Sequence, residues 1–138
     1  MALFLLVNLN DLLQKMSHEG HRLIFSDDIH PECGAEDITS LINNARNAAC
    51  HINSGQHLME STKLVFNVVR GYVPHAFSIN GVSMGSDYAD DTALIFGANR
   101  VYLRRHIARA VNDAQTYYEV IHGIKLWAMN EFSKSASC

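Results

Sequence analysis

The chain has few of the residues that staple small domains or interrupt regular structure. Its 138 residues include only two prolines, Pro31 and Pro74, and both are isolated, so no proline-rich linker divides the chain. Its three cysteines are scattered, at Cys33, Cys50 and Cys138. They are too few and too scattered for a disulfide framework, and their odd number favours a reducing compartment. We therefore expect a single domain over residues 1–138.

Long apolar runs and a strong excess of one charge are also absent. The apolar run at residues 2–7 has no basic leader and no small-residue cleavage site, and no stretch approaches the ~20 apolar residues of a membrane span. Charged residues make up 18% of the chain and its net charge is −3, which argues against gripping nucleic acid by bulk charge. We expect a cytoplasmic protein, or a nuclear one in a eukaryote, with no membrane partner.

What is present is hydrophobic periodicity. Apolar residues recur at helical spacing in three stretches, residues 2–17, 36–53 and 99–122, and each stretch predicts a helix. We expect the glycines that follow them to end these helices, namely Gly20, Gly55 and Gly123. The longest stretch keeps one apolar face throughout: Leu103, Ile107, Ala110, Val111, Ala114, Tyr118 and Ile121.

Shorter apolar and β-branched runs predict strands. They cover residues 21–25, 64–69, 76–79, 82–88 and 94–96, and residues 124–129 are predicted to be a last strand or an extended segment. A loop is predicted over residues 27–34, and Asn80-Gly81 is a strong signal for a type I′ hairpin turn. We expect an antiparallel meander from about residue 76 to 96. The predicted fold class is α+β, with this meander packed against two or three helices.

The most informative stretch is Tyr-Ala-Asp-Asp at residues 88–91, which follows a turn-rich run and precedes an apolar one. Adjacent carboxylates raise one another's pKa unless a cation or hydrogen-bond donors compensate. Carboxylate oxygens suit Mg²⁺, which also takes phosphate ligands, so Asp90 and Asp91 predict metal-assisted phosphoryl transfer. The alternative is an ordinary polar turn, which aspartates favour.

The surroundings of this stretch carry a resemblance. The run from Ser78 to Phe96 resembles the palm core of retroelement-type reverse transcriptases, in which a Y-A-D-D box tips a β-hairpin and supplies magnesium ligands. The Gly-Ile-Lys-Leu-Trp run at 123–127 and Ser-Lys-Ser at 133–135 are similar to the strand beyond the box in that family. The opening residues 3–13 look like the family's upstream helix. The resemblance is good over about residues 76–135 and weaker over 3–16.

The resemblance implies magnesium-dependent nucleotidyl transfer on nucleic acid, with Asp90 and Asp91 as metal ligands and Tyr88 shaping the primer end. The family's third aspartate lies on a strand that precedes the opening helix, and no counterpart is found in this sequence. Phe25-Ser26-Asp27-Asp28 follows that helix, so its order is wrong for the role. We therefore expect the nucleotidyl-transfer site to be incomplete and the isolated chain to be inactive.

A cluster of arginines follows the acidic residues. Arg100, Arg104 and Arg105 share a broad face of the predicted long helix with Arg109. Such arginines can contact phosphates, which makes the first three candidate nucleic-acid contacts. They more often form the solvated face of an amphipathic helix, and both interpretations stay open.

Histidine and cysteine also occur at ligand-like spacing, in His18-x-x-His21 and His30-x-x-Cys33, with Cys50-His51 further on. Zinc needs four such ligands in a tetrahedron, and ordinary polar or buried roles are the more common use of these residues. A second functional hypothesis is a small non-enzymatic interaction protein, encoded by a phage or a mobile element. It would bind another macromolecule, and the long amphipathic helix would offer a surface for a protein partner or a dimer.

Overall fold

The computed structural model describes residues 2–50, 66–79 and 81–136. Its helices there are α1 (Ala2–His18), α2 (Ile38–Cys50) and α3 (Arg109–Ala136). The strands are β1 (Phe66–Arg70), β2 (Val73–Ile79), β3 (Val82–Ser86), β4 (Thr92–Phe96) and β5 (Asn99–Tyr102). A 3-10 turn spans Pro31–Cys33, and a π-helical turn, Leu103–Ala108, leads into α3. The predicted α+β class is confirmed.

The first two helices form as their apolar stripes predict. Each buries one face in a common core, which takes Leu6, Leu9, Leu13 and Met16 from α1 and Ile38, Leu41, Ile42 and Ala45 from α2. Asp37 caps α2, because its Oδ1 accepts the N–H of Ser40 at 2.8 Å. The predicted helix ends at residues 51–53 and at Gly55 lie outside the described residues.

The predicted strand at residues 21–25 is wrong, since this segment has no regular secondary structure. Its carbonyl groups bond to α2 and not to a neighbouring strand. The carbonyl of Leu23 accepts the Thr39 hydroxyl at 2.7 Å, and that of Phe25 accepts the N–H of Ile38 at 2.8 Å. The segment therefore serves the first turn of α2. The loop predicted over residues 27–34 is confirmed, with the 3-10 turn inside it.

The strands form two sheets. One has the order β1-β4-β5 and the other is the β2-β3 hairpin, and all pairs are antiparallel. Ile79 lies opposite Val82, which confirms the two-residue hairpin connection, and Gly81 has a φ of +80° there. Asn80 itself lies outside the described residues. The predicted strand at 64–69 is observed as β1, with residues 64 and 65 outside the described ranges.

The predicted continuous meander is only partly right. Strand β4 pairs on one side with β1 and on the other with β5. Both of its edges are therefore occupied, and β3 does not pair with it. The acidic stretch thus connects the hairpin to the larger sheet and does not join two paired strands.

The larger sheet separates two apolar clusters, as the alternation of side chains across a strand requires. Leu94, Phe96 and Val101 face the core shared with α1 and α2. Ala93 and Ile95 face the hairpin side, where Met84 of β3 and Tyr102 join them. The chain that leaves β3 must therefore cross from the hairpin to the sheet at the acidic stretch.

The long helix begins and ends later than the prediction of 99–122. Residues 99–102 form β5, and α3 continues to Ala136, so Gly123 does not end it and the predicted strand at 124–129 is wrong. Ile107, Ala110 and Ala114 are buried as predicted, whereas Val111 is 39% exposed. No helix in the described ranges is long and apolar enough to cross a membrane.

Candidate functional site at the acidic turn

The acidic turn, residues 88–91, lies between the end of β3 and the start of β4. Asp90 and Asp91 are its last two residues and therefore lie at a turn, as the sequence predicts. The N–H of Asp91 approaches the carbonyl of Tyr88 at 3.4 Å, and the Asp91 carbonyl accepts the N–H of Gly71 at 3.0 Å. The turn is therefore tied to the exit of β1 as well as to its own ends.

The Asp91 carboxylate is enclosed by hydrogen-bond donors of the protein. Its Oδ1 accepts the backbone N–H of Thr92 at 2.8 Å and that of Arg104 at 2.9 Å. Its Oδ2 accepts both the backbone N–H and the Nη1 of Arg105, each at 3.1 Å. Three of these four donors are backbone groups, and two of those belong to the first turn of the π-helical segment. Asp91 therefore caps the helical segment that begins at Leu103.

This arrangement uses the whole acceptor capacity of Asp91. A carboxylate offers about four lone-pair positions, and two donors approach each oxygen here. The side chain is 0% exposed. Burial alone would raise the pKa of Asp91, but the backbone N–H groups of Arg104, Thr92 and Arg105 and then the guanidinium outweigh it, so the pKa lies below its usual value.

Asp90 is placed differently, with 62% of its side chain exposed. Its Oδ1 lies 3.0 Å from Nη1 of Arg105, the same nitrogen that contacts Asp91. The guanidinium of Arg105 also lies 3.5 Å from the centre of the Tyr88 ring. The Tyr88 hydroxyl donates to Asp28, and this hydrogen bond is the main reason that the pKa of Tyr88 is raised. One arginine thus compensates the pair of carboxylates.

The three predicted nucleic-acid contacts differ in their exposure and in their partners. Arg100 is nearly buried; it pairs with Asp87 at 3.1 Å and donates to the Gly85 carbonyl at 3.3 Å. Arg105 is held by the acidic turn. Arg104 is exposed, and its guanidinium makes no hydrogen bond or ion pair with any described residue. Of the three predicted contacts, Arg104 is the one available to a phosphate.

Arg104 lines a cleft of about 320 Å³ beside the acidic turn. Its walls are formed by Arg70, Ala89, Asp90, Asp91, Thr92, Leu103 and Arg104. Arg70 is exposed at the end of β1, opposite Thr92, and within the described chain its guanidinium has no hydrogen-bond or ion-pair partner. Sequence reasoning missed Arg70, because only the β1–β4 register brings it to the turn.

In this arrangement Asp91 does not fit the role of a magnesium ligand. Mg²⁺ needs carboxylate oxygens with available lone pairs, and Asp91 has none. Over residues 2–50, 66–79 and 81–136, no group of three or more His, Cys, Asp or Glu side chains is placed to hold a metal ion. Of the zinc candidates, His30 accepts the N–H of Glu32 through Nδ1 at 3.3 Å, and His51 lies outside the described residues.

Sequence reasoning also missed the buried histidine His106, which lies in the π-helical turn. The Nδ1 of His106 accepts the N–H of Tyr102 at 3.0 Å, and Nε2 lies 2.9 Å from the carbonyl oxygen of Asp27. These partners define a neutral ring that carries its proton on Nε2. Burial is the main cause that lowers the pKa of His106. The ring therefore links β5 and the π-helical turn to the loop after α1.

Comparisons of the chain with protein-family models, with curated proteins and with solved structures find no match. The resemblance to reverse transcriptases therefore rests on the motif residues alone. The geometry of the acidic turn and of its neighbouring cleft is the basis for a functional proposal.

Proposed function

We propose that this chain is a palm-like domain, related to reverse transcriptases, that does not transfer nucleotides on its own and that holds nucleic acid in the cleft beside its acidic turn. The observation that carries the absence of catalysis is the complete hydrogen bonding of the Asp91 carboxylate. This carboxylate caps a helical segment and has no acceptor capacity left for a metal ion.

The first part of the proposal is the absence of catalysis. Two-metal phosphoryl transfer needs carboxylates that hold ions about 3.5–4 Å apart. A cation at Asp91 would have to displace backbone N–H groups from the first turn of the helical segment. Asp90 has a compensating contact of its own with Arg105. A structural cap, and not a metal ligand, is the role that this geometry supports for Asp91.

The second part is phosphate binding by two guanidinium groups. Arg70 and Arg104 line the same cleft and have no carboxylate partner among the described residues. A planar guanidinium donates two parallel hydrogen bonds to a phosphate, so each arginine suits one phosphate of a nucleic-acid backbone. Because the whole chain carries a net charge of −3, we expect weak binding that depends on this local pair.

Salt dependence tests this directly. Two phosphate contacts on a single strand predict a slope of about −1.4 when the logarithm of the association constant is plotted against that of the salt concentration. We would measure anisotropy of a labelled single-stranded oligonucleotide with the parent, Arg70→Gln and Arg104→Gln. Each variant should weaken binding and reduce the slope by about half.

The matched control is Arg46→Gln. It removes the same charge from α2, where Arg46 hydrogen-bonds to the neighbouring Asn47 at 3.0 Å. Equal loss of binding in this control would reduce the effect to bulk charge and contradict the cleft. A template–primer assay with Mg²⁺ or Mn²⁺ tests the other half of the proposal. Extension by the parent that disappears in Asp90→Asn would overturn the absence of catalysis.

A second candidate, a protein-interaction module, is favoured by the exposed apolar side chains of β1. Phe66 is 48% exposed and Val68 56% exposed. They lie opposite Phe96 and Leu94, on the face that the helices cover elsewhere, and β1 is at the edge of the described sheet. A protein partner or a second copy of the chain would cover this face. Light scattering tests the dimer: a concentration-dependent mass lost in Val68→Lys would support it.

A further inference from the structure

A second cleft lies where α1 ends against α3, away from the residues that line the first. It has a volume of about 510 Å³, and its lining residues are Lys15, Glu19, Tyr117, Tyr118, Ile121 and His122. Two neighbouring tyrosines, a carboxylate and an ammonium group thus share one open space. None of them takes part in the acidic turn or in the proposed phosphate contacts.

The end of α1 positions this cleft. Gly20 adopts a φ of +83°, a conformation that side chains with a Cβ rarely take, and it reverses the chain directly after the helix. The N–H groups of Gly20 and His21 bond back to the carbonyls of Ser17 at 3.1 Å and Met16 at 2.9 Å. This turn brings Glu19 and His21 against α3.

The aromatic rings form two walls at a steep angle. The ring centres of Tyr117 and Tyr118 are 4.9 Å apart and their planes meet at 66°. His21 stacks on Tyr117 with a centre-to-centre distance of 4.3 Å and an interplanar angle of 5°, which holds that ring in place. The two tyrosine rings therefore meet edge to face, and the electron-rich face of an aromatic ring attracts a cation.

A carboxylate adds to this negative potential. Oε2 of Glu19 accepts the Tyr117 hydroxyl at 3.0 Å. Partial burial and then the neighbouring Glu19 raise the pKa of both tyrosines, so both rings carry their hydroxyl protons at neutral pH. The cleft therefore combines the neutral ring of Tyr118 with a nearby carboxylate, and an aromatic face with an anionic neighbour suits ammonium and guanidinium ions.

A cation of the protein already lies over one of these faces. Nζ of Lys15 is 5.3 Å from the centre of the Tyr118 ring. In the described part of the chain Lys15 makes no ion pair, although Glu19 follows it by one helical turn. This contact is an internal example of the interaction and is open to exchange, because exposed cation–π contacts are weak.

We propose that this cleft binds an organic cation, an ammonium or guanidinium group, which replaces Lys15 over the face of Tyr118. The group is either a small molecule or a basic side chain of a polypeptide. The proposal uses no residue of the acidic turn, so it stands or falls independently of the proposed function.

The probe is tetramethylammonium chloride, titrated into the full chain and followed by NMR of the tyrosine rings. Saturable shifts of Tyr117 and Tyr118 with a dissociation constant in the millimolar range are expected. Sodium chloride controls for ionic strength, and neopentyl alcohol is a neutral molecule of similar shape. An equal response to the neutral molecule would overturn the proposal, because it would reduce binding to filling of an apolar space.

Variants of the cleft sharpen the test. Tyr118→Leu should weaken tetramethylammonium binding about two- to fivefold, whereas Tyr118→Phe, which keeps the ring, should retain it. Lys15→Met should tighten binding, because it removes the competing cation. Tyr72→Leu, at an exposed tyrosine next to β1, is the matched control. Unchanged affinity in a folded Tyr118→Leu would contradict the proposal.

A last comparison distinguishes the two sources of the cation. The two compounds compared are methylguanidinium, a small cation, and N-acetyl-arginine amide, which carries the same head group on a peptide-like backbone. Tighter binding of the amide would assign the cleft to a basic side chain of a polypeptide, and equal binding would assign it to a small cation. No saturable binding of either compound or of tetramethylammonium would overturn the proposal.

Discussion

The acidic turn and the second cleft, here called the aromatic cleft because Tyr117 and Tyr118 line it, both lie along the helical segment from Leu103 to Ala136. The two regions use charge in opposite ways. At the turn, four donors enclose Asp91 and leave no exposed carboxylate surface. At the cleft, Lys15 faces a ring and has no carboxylate partner in the described chain. A charge whose partners are all internal stabilises a fold, whereas one with weak partners can exchange them for a ligand. Asp91 of the acidic turn is thus less available to a ligand than Lys15 of the cleft.

The largest effect on stability should come from Ile107, a buried residue of the helical segment along which both regions lie. Ile107 is 5% exposed and lies in the π-helical turn between β5 and α3. Ile107→Ala should cost about 2–5 kcal/mol of unfolding free energy, because it leaves a cavity in the core. Urea denaturation measures this, and Val111→Ala, at a 39% exposed position, should stay within about 0.5 kcal/mol. An unchanged midpoint for Ile107→Ala would show that the helical segment is not anchored to the core.

A smaller but more specific effect should separate the two aspartates. Asp91→Asn should lower the unfolding free energy by roughly 1–3 kcal/mol, because an amide cannot accept all four donors. Asp90→Asn, at an exposed position, should change it by less than about 0.5 kcal/mol. Equal losses in the two variants would contradict the contrast between a buried cap and an exposed turn residue.

Protonation of Asp91 in acid should remove the stabilisation that its cap provides. The pKa of Asp91 is lowered in the folded chain, so its contribution is fully present above the ordinary carboxylate pKa of about 3.9 and is lost as the pH falls through the folded value. The parent should therefore lose stability in this acidic range more steeply than Asp91→Asn. Parallel curves of denaturation midpoint against pH would argue against the cap.

His106 should act at a milder pH. Burial lowers its pKa, so the folded chain binds this proton less readily than the unfolded chain does. Its contribution is present above the unfolded value of about 6.5 and is lost as the pH falls below it, by at most ~1.4 kcal/mol per pH unit. His106→Gln should flatten this part of the profile. Burial also lowers the pKa of His30, so the pH profile of His30→Gln is measured beside that of His106→Gln to compare the two contributions.

The smallest effect on stability should come from the aromatic cleft. Lys15→Met keeps the length of the side chain and removes a weak contact, so the unfolding free energy should change by less than about 0.5 kcal/mol. Calorimetry of the parent and the variant measures this. A loss above 1 kcal/mol would mean that Lys15 is a structural element and not an exchangeable cation.

Elements formed by local signals could be predicted from the sequence. The stripes of α1 and α2 and the Asn-Gly turn each specify their structure within a short window. Gly123 shows the limit of such signals, because a glycine inside a helix costs only about 1 kcal/mol relative to alanine and here it does not end α3. Strand β5 was missed because the predicted long helix was started at residue 99, although its apolar stripe begins only at Leu103.

The position of the candidate site could be predicted from the sequence, but the hydrogen bonding of its carboxylates could not. The sequence placed Asp90 and Asp91 at a turn, and the structure agrees. The donors of Asp91 come from Arg104 and Arg105, and they reach it only because β5 and the π-helical turn replace the predicted start of the long helix. The aromatic cleft depends on the contact of His21 with Tyr117, which no local pattern announces.

The insertion of the β2–β3 hairpin between β1 and β4 has a consequence for the order of folding. The hairpin closes through a two-residue connection and needs no other strand, whereas β1 must find β4 across the whole intervening chain. A hairpin that forms first shortens this search, because it brings its own two ends together and lowers the loop-closure entropy of the later pairing. We therefore expect the connection between Ile79 and Val82 to close before β1 pairs with β4. Early closure of the hairpin would shorten the time for which the unpaired edges of β1 and β4 are open to other chains.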